Sequence, residues 1–189
     1  MSIETIFSLF LGIGLAASVG FRVFLPLFAL SIAAYFDVIP LNESWEWIGS
    51  TLAMITLGVA TIVEIGAYFI PWLDNALDTI AVPLAGIAGT AIMVSTAANL
   101  DPVVTWSLAI IAGGGTAAAI KGTTSATRLT STATTGGIAN PAIAAVETGT
   151  SVFMSIVSIL LPVLAIICVV LIFLAIFYFY KKLSRKKTT

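Results

Sequence analysis

The chain has 189 residues, of which 59% are hydrophobic and 9% are charged, and its formal net charge is −1. A soluble domain usually carries about 25% charged residues, so this composition excludes a soluble globular protein and predicts helices that face lipid or one another. There is no histidine and one cysteine, Cys168, which excludes a histidine proton relay, a histidine-ligated metal and an internal disulfide.

Seven charge-poor runs predict an all-α polytopic membrane protein with about six transmembrane segments in one membrane domain, 1–189. About 20 apolar residues cross the hydrocarbon layer as a helix. A barrel would need alternating strands of about ten residues, whereas these runs are continuous. They lie near 5–19, 23–36, 51–63, 77–97, 103–119, 142–161 and 163–180.

The first element, 5–36, is too long for one simple span at about 1.5 Å per residue. It carries Gly20, Arg22 and Pro26 near its middle. Proline removes a backbone donor and kinks a helix, and glycine loosens one. The sequence therefore predicts a helix that breaks at 20–22, between the first two apolar runs.

The basic C-terminal tail, 181–189, sets the predicted orientation. Its five cations are Lys181, Lys182, Arg185, Lys186 and Lys187. The positive-inside rule predicts that such a tail is cytoplasmic. Six crossings would then place the N-terminus on the cytoplasmic side as well. The acidic loop 37–47, which carries two tryptophans, would lie on the opposite side.

Three short stretches recur in the same order in the two halves of the chain. The pairs are 12–17 with 113–118, 63–66 with 146–149, and 80–85 with 159–164. They predict two pseudo-symmetric, three-element repeats, about 5–98 and about 103–182. Many transporters consist of such halves, with a polar site where the halves meet. We favour inverted over parallel repeats, which requires an odd number of crossings in each.

Ionisable groups inside a membrane are costly and therefore mark candidate solute or ion sites. The candidates here are Arg22, Glu64, Asp74, Asp78, Lys121, Arg128, Asn140 and Glu147. Two interpretations stay open for the arginines and Glu64 and Glu147. In the first, these four residues form two symmetric Arg–Glu ion pairs that hold the helices together. In the second, they line a solute pathway at the repeat interface.

The stretch 121–141 is rich in hydroxyls and contains two cations, a Gly-Gly pair and Asn140-Pro141. Non-helical backbone at membrane depth is tolerated where it lines a cavity. We therefore predict a re-entrant segment that lines a pathway. A flexible hydroxyl-rich loop is the alternative.

Three other features allow simpler interpretations. Glycines 113–115 lack the lysine and hydroxyl of a phosphate-binding loop and indicate close helix packing. Asp74 and Asp78, four residues apart at a helix start, cap that helix or bind a cation or proton. The stretch 141–181 has the length of two spans but no polar turn, so it is either two helices with a tight turn or one helix kinked at Pro162.

Motifs over nearly the whole chain carry a family resemblance. They are 14–18 (GLAAS), 20–26 (GFRVFLP), Glu64 with 71–75 (PWLDN), 112–115 (AGGG), and 131–137 (STATTGG) with Asn140-Pro141. With them, the chain resembles the bacterial membrane family known as domain of unknown function 4126. The resemblance implies an integral protein of the bacterial inner membrane and carries over no activity. It singles out seven of the eight candidates: Arg22, Glu64, Asp74, Lys121, Arg128, Asn140 and Glu147.

These features together predict a small transporter or channel for a small polar or ionic solute. The buried cations favour an anionic solute. We expect membrane lipid as a partner and a homo-oligomer, most simply a dimer. A protein that binds or translocates lipid is the first alternative, and a structural or partner-binding subunit is the second. No nucleophile–base pair or metal cluster accompanies the charges, so we expect neither an enzyme, nor a cofactor or metal, nor a nucleic-acid partner.

Overall fold

The computed structural model describes residues 2–186, and within them the side chains at 71, 72, 74, 75 and 183–186 lie outside the description. The described residues form α-helices and no strand. A 3₁₀ helix, Glu43–Gly49, precedes α3, and a π-helical segment, Ala109–Gly114, joins α5 to α6. The α-helices are α1 (Ile3–Val19), α2 (Phe24–Tyr35), α3 (Thr51–Ala67), α4 (Pro71–Thr96), α5 (Pro102–Leu108), α6 (Gly115–Thr135), α7 (Asn140–Leu160) and α8 (Pro162–Lys186).

Four helical stretches among the described residues are long and apolar enough to cross a membrane. A fifth span results if the 3₁₀ helix and α3, which meet at 62°, are counted together. The predicted all-α, multi-pass class is therefore confirmed, but four or five spans are supported rather than about six. The four are Ala76–Thr96, Pro102–Thr135, Asn140–Leu160 and Pro162–Lys182.

The predicted break in the first element is confirmed, since α1 ends at Val19 and α2 begins at Phe24. The break reverses the chain instead of kinking it. Ser8 of α1 accepts a hydrogen bond from the Ala98 amide at 3.0 Å. Asn42, which follows α2, donates to the Ala97 carbonyl at 2.9 Å. Both ends of this hairpin therefore lie beside the α4–α5 turn, at one end of the helix bundle.

This reversal bears on the predicted topology. The N-terminus and the loop 37–47 were expected on opposite sides of the membrane, on the premise that 5–36 crosses it. Because both ends of the pair lie at the same end of the bundle, α1 and α2 form a helical hairpin, which would be re-entrant in a membrane. At about 1.5 Å per residue, α1 is about 25 Å long and α2 about 18 Å.

The junction between α7 and α8 is a tight turn, which settles the choice left open for 141–181. Only Leu161 separates the helices, with φ −139° and ψ 65°. Met154 of α7 and Val169 of α8 pack in one cluster with Ala17. A straight helix would place Met154 and Val169 about 22 Å apart, so the chain must double back.

The re-entrant segment predicted for 121–141 is wrong, because α6 is regular helix as far as Thr135. Its hydroxyls do not need a water-lined cavity, since they donate to carbonyls of their own helix. Thr127 donates to the Thr123 carbonyl at 2.9 Å, and Thr134 to the Thr130 carbonyl at 2.8 Å. The chain turns after α6 at Gly136 and Gly137, whose positive φ values of 64° and 86° suit glycine.

The packing interpretation of the glycine-rich stretch is confirmed. A Cβ atom added to Gly89 of α4 would lie 2.7 Å from the Gly113 carbonyl oxygen. One added to Gly113 would lie 2.6 Å from the Gly89 carbonyl oxygen. The two backbones touch at this point because neither residue has a side chain, as small residues allow between membrane helices.

Cysteine labelling tests the re-entrant hairpin. We expect Ser2→Cys and Ser44→Cys to react with a membrane-impermeant maleimide from one side of a vesicle, and Ile138→Cys in the α6–α7 turn to react from the other. Each variant is made in a Cys168→Ala background, and detergent-lysed vesicles give full labelling as the control. Labelling of Ser2→Cys and Ser44→Cys from opposite sides would instead support the crossing by 5–36.

Candidate functional site

The tip of the α1–α2 hairpin carries a group of buried polar side chains, called here the tip cluster. Each comes from the hairpin, α3, α6 or α7, or from the residue that follows α3, and each is at most 7% exposed. Buried ionisable groups in a membrane require partners or water, so their hydrogen bonds decide what the cluster does. Its members are Arg22, Glu64, Tyr68, Lys121, Arg128 and Glu147.

Arg128 and Glu147 form a forked ion pair between α6 and α7. Arg128 Nε donates to Glu147 Oε1 at 3.1 Å, and Arg128 Nη2 donates to Oε2. Two parallel charge-assisted hydrogen bonds of this kind fix geometry and are among the strongest in proteins. One of the predicted Arg–Glu pairs is thus present.

Glu64 does not form the second, symmetric pair. Its two carboxylate oxygens accept the backbone N–H groups of Val23 at 2.7 Å and Phe24 at 2.9 Å. These are the first N–H groups of α2, which has no capping side chain of its own in the described part of the chain. Glu64 therefore caps α2 from α3, where the helix dipole favours negative charge.

Tyr68 joins the three cations, although it was not among the predicted site residues. The Cζ atoms of Arg22 and Arg128 lie 4.1 and 4.2 Å from its ring centroid. Each of these two guanidinium groups therefore makes a cation–π contact with the Tyr68 ring. The Tyr68 hydroxyl accepts from Lys121 Nζ at 3.1 Å. Tyr68 follows Glu64 by one helical turn, and that spacing was the available signal.

The remaining contacts of Arg22 attach the hairpin to α7. Arg22 Nε donates to Thr148 Oγ1 at 2.9 Å, and Nη2 donates to the Ala144 carbonyl at 2.8 Å. Nη2 also lies 3.8 Å from Glu147 Oε2. Arg22 Nη1 is buried and has no hydrogen-bond partner among the described residues. An unsatisfied buried donor costs about 1–3 kcal/mol. We call this donor the open position of Arg22.

α6 also binds the hairpin, through the carbonyl groups that the break leaves outside a helix. Lys121 Nζ donates to the Phe21 carbonyl, and Thr124 Oγ1 to the Gly20 carbonyl, each at the long distance of 3.5 Å. Backbone groups outside a helix must find such partners at membrane depth. The tip cluster therefore satisfies the broken backbone as well as its own charges.

Cavities flank the tip cluster on two sides. One of about 500 Å³ lies between α2, α3 and α4, with Glu64 and Tyr68 in its wall. Another of about 390 Å³ lies between the hairpin tip, α6 and α7, with Thr124 and Glu147 in its wall. Arg128 contacts both Tyr68, which lines the first cavity, and Glu147, which lines the second.

The other predicted site residues occupy different positions. Asp78 is half-buried and accepts from Ser125 Oγ of α6 at 3.2 Å, two turns into α4, so it does not cap that helix. Asn140 begins α7 and donates to Thr132 Oγ1 at 3.0 Å, across the α6–α7 turn. The side chain of Asp74 lies outside the described part of the chain.

The family model described as "Domain of unknown function (DUF4126)" matches residues 9–182. The match spans most of the chain and includes every member of the tip cluster. The chain belongs to this family, which confirms the resemblance found in the sequence. No curated protein and no solved structure matched the chain.

Proposed function

We propose that this protein is a small membrane transporter or channel, and that the tip cluster is its solute site. The observation that carries the proposal is Arg22, which is 0% exposed and has an Nη1 atom without a partner among the described residues. A cluster that served only to hold helices together would satisfy each of its donors, because unsatisfied donors destabilise a fold.

The charges of the cluster favour a small anionic solute. Three cations, Arg22, Lys121 and Arg128, are buried with two carboxylates, Glu64 and Glu147. Both carboxylates already accept short hydrogen bonds, whereas the open position is a guanidinium donor. A cation would find no unoccupied acceptor pair of comparable burial in the described cluster, whereas an anion would find a donor.

The direction of the helices supports inverted halves. Glu64 lies near the end of α3, and Glu147 lies near the beginning of α7, yet both reach the tip cluster. α3 and α7, which carry the equivalent stretches 63–66 and 146–149 of the two predicted repeats, therefore run in opposite directions through the bundle. The first elements of the two halves differ, since one is the α1–α2 hairpin and the other is the long helical stretch Pro102–Thr135. We further propose a homo-oligomer, most simply a dimer.

The proposed location is the bacterial inner membrane, with the C-terminus in the cytoplasm. Lys181 and Lys182 are exposed at the end of α8, and the positive-inside rule places that end on the cytoplasmic side. The start of α1 would then lie on the opposite side, because α1 runs parallel to α8. Gly14 lies against Ala165, and Ala17 and Phe21 further along α1 share a cluster with Val169 and Ile176 further along α8.

Ion efflux from vesicles tests the proposal. Purified protein is reconstituted into liposomes loaded with potassium chloride, nitrate, acetate or phosphate, and anion release is followed after valinomycin is added. We expect release above that of protein-free liposomes for at least one small anion, and no release of sodium under the matched gradient. Absence of anion release from protein that keeps its melting transition would contradict the proposal.

A lipid-translocating protein is the second candidate, supported by a groove of about 820 Å³ between α6 and α8. One wall carries the hydroxyls of Thr123 and Thr127, and the other carries Ile172 and Phe179. An amphipathic groove open to the bilayer suits a lipid. Transfer of fluorescent phosphatidylglycerol between leaflets of the same vesicles, without anion release, would favour this candidate over the transporter.

A further inference from the structure

We propose that the groove of about 820 Å³ between α6 and α8 binds one acyl chain of an anionic phospholipid, and that Lys182 and Tyr180 bind the phosphate of this lipid. The inference goes beyond the proposed function, because the site does not require that the protein moves ions. It also differs from the second candidate function, since the lipid stays in one leaflet.

The wall of the groove suits an acyl chain, because each described residue that lines it is uncharged. α8 contributes large apolar side chains such as Ile176 and Phe179. On the α6 wall, the hydroxyls of Thr123 and Thr127 already donate to carbonyls of their own helix at 2.9 Å. These hydroxyls therefore present no unsatisfied donor to a lipid chain.

The length of the groove favours an acyl chain over a helix of a second copy. From Ala118 to Thr130 the groove follows α6 over about 18 Å. This length is close to half of a hydrocarbon core of about 30 Å, which is the depth of one leaflet. A membrane-crossing helix needs the whole thickness, whereas an acyl chain extends through one leaflet.

α6 and α8 run in the same direction, so the two walls of the groove end together. A Cβ atom at Gly12 of α1 or at Gly113, which shortly precedes α6, would lie 2.6 or 2.7 Å from the side chain of Met93. Further along both helices, a Cβ atom at Gly20 would lie against Ile120. α6 therefore runs parallel to α1, as α8 does. The later residues of both walls lie at one end of the groove, where α8 continues into its lysines.

Lys182 lies at the edge of the groove face of α8, whereas Lys181 lies on the opposite face. The residues of α8 that line the groove recur at helical spacing: Ile172, Ala175, Ile176, Phe179 and Tyr180. Lys182 follows Phe179 by three residues, which places the two on one side of the helix. Lys181 follows Ile172 by two and a half turns. Both lysines are exposed, and Lys182 forms no ion pair among the described residues.

The charge of Lys182 favours an anionic lipid, and Tyr180 marks the level of its headgroup. Tyr180 lines the end of the groove and is exposed. A tyrosine at a membrane interface keeps its ring among acyl chains and its hydroxyl at the headgroups. The proposed orientation places this end in the cytoplasmic leaflet, whose anionic lipids attract basic residues. A zwitterionic headgroup would gain less, because its own amine balances the phosphate.

Lipid titration followed by native mass spectrometry tests the headgroup contacts. Delipidated full-length protein in detergent is titrated with phosphatidylglycerol or with phosphatidylcholine of the same acyl chains. We expect one phosphatidylglycerol per chain, bound several-fold more tightly than phosphatidylcholine. Lys182→Gln should weaken phosphatidylglycerol binding about fivefold, the effect of one basic residue near an anionic headgroup, and Tyr180→Phe should weaken it by less. The matched control, Lys181→Gln, removes the same charge from the opposite face and should resemble wild type.

Gly122→Leu tests the acyl-chain contact. Gly122 lines the groove, and a Cβ atom there would meet nothing within 4 Å, so leucine can enter the groove without displacing a helix. We expect phosphatidylglycerol binding to weaken about tenfold or more, because each methylene excluded from the groove loses its burial. The melting transition shows that the variant is folded.

Equal losses in Lys181→Gln and Lys182→Gln would overturn the inference, since the lipid would then be attracted by the charge of the tail alone. Unchanged binding in folded Gly122→Leu would overturn it as well, and so would a lipid-free dimer that this substitution dissociates, because a second copy would then occupy the groove. If Gly122→Leu does not fold, the two lysine variants still decide. Anion release plays no part in these measurements, so the proposed function can fail while the lipid site stands, and the reverse.

Discussion

Replacing Glu147 with leucine is expected to lower the free energy of unfolding by about 3–5 kcal/mol, the usual cost of removing one partner of a buried ion pair. Glu147 is 4% exposed and faces two cations. Arg128 donates to it through a forked contact, and Arg22 Nη2 lies 3.8 Å from its Oε2. Without Glu147, the cluster would keep three buried cations and a single fully buried carboxylate.

The same geometry predicts an unequal effect of the two partners. Arg128→Leu should cost less than Glu147→Leu, because Glu147 retains Arg22 nearby when Arg128 is removed. The double variant should also cost less than Glu147→Leu alone, since it also removes the cation that loses its forked contact with Glu147. Unfolding in mixed micelles of dodecyl maltoside and SDS, followed by tryptophan fluorescence, measures all three. Glu46→Leu, at an exposed site, is the control, and equal costs for the two single variants would contradict this account.

Gly89→Val is expected to separate α4 from α6 and to destabilise the protein by about 1–3 kcal/mol or more, the usual cost of overpacking. A Cβ atom at Gly89 would lie 2.6 Å from Ala117 Cβ and 2.7 Å from the Gly113 carbonyl oxygen. A backbone carbonyl cannot move aside as a flexible side chain can, so the two helices must shift. The branched side chain of valine enlarges the clash.

Gly122→Ala is the matched control for Gly89→Val. A Cβ atom at Gly122 of α6 would meet nothing within 4 Å, and alanine favours helix over glycine by about 0.5–1 kcal/mol. The same unfolding experiment should therefore show a small gain in stability for Gly122→Ala. If Gly89→Val unfolds no more easily than wild type, the close contact of α4 and α6 is wrong.

Much of the tip cluster could be predicted from sequence, because a charge inside an apolar run is costly wherever it lies. That argument alone selected Arg22, Glu64, Lys121, Arg128 and Glu147, which the structure brings together. The break after α1 was predictable for a similarly local reason, since Gly20 and Pro26 interrupt a run too long for one span. Local signals of this kind need no knowledge of the tertiary fold.

The partners of these charges were not predictable in the same way. Whether Glu64 accepts from an arginine or from the start of α2 depends on how far the chain turns at 20–23. A break can kink a helix or reverse it, and Gly20 and Pro26 permit both outcomes. The reversal is favoured by contacts from distant helices, such as those of Lys121 and Thr148 with the hairpin. The side of the bundle at which α2 ends follows from that one turn.

The threonine-rich part of α6 misled the sequence analysis for a different reason. Hydroxyls were taken as evidence of a water-lined segment, yet Thr123, Thr127, Thr130 and Thr134 donate to carbonyls four residues earlier. Such threonines are compatible with lipid, because each hydroxyl finds its acceptor within the helix. Spacing alone, with threonines recurring at three and four residues along one helix face, was the signal that favoured helix.

The tip cluster has a structural role and also carries the feature on which the proposed solute site rests. The hairpin can end inside the bundle because Glu64 caps its second helix, while α6 and α7 bind its carbonyls and Arg22. The same contacts bring three cations and an unoccupied guanidinium donor to one place. The structural role explains most of these hydrogen bonds, and Arg22 Nη1 is the part that it does not explain.

The central claim is that this open position of Arg22 binds the solute, and anion release through Arg22→Gln tests it most directly. The rate is compared with wild type in vesicles that contain equal amounts of folded protein, as judged by the melting transition, and Arg22→Lys serves as the charge-preserving comparison. We predict that Arg22→Gln lowers the rate by about tenfold or more, because a hydrogen bond to a charged group contributes about 1.5–3 kcal/mol, and that Arg22→Lys retains part of the rate. A wild-type rate in folded Arg22→Gln protein would show that the solute does not use Arg22 and would contradict the account.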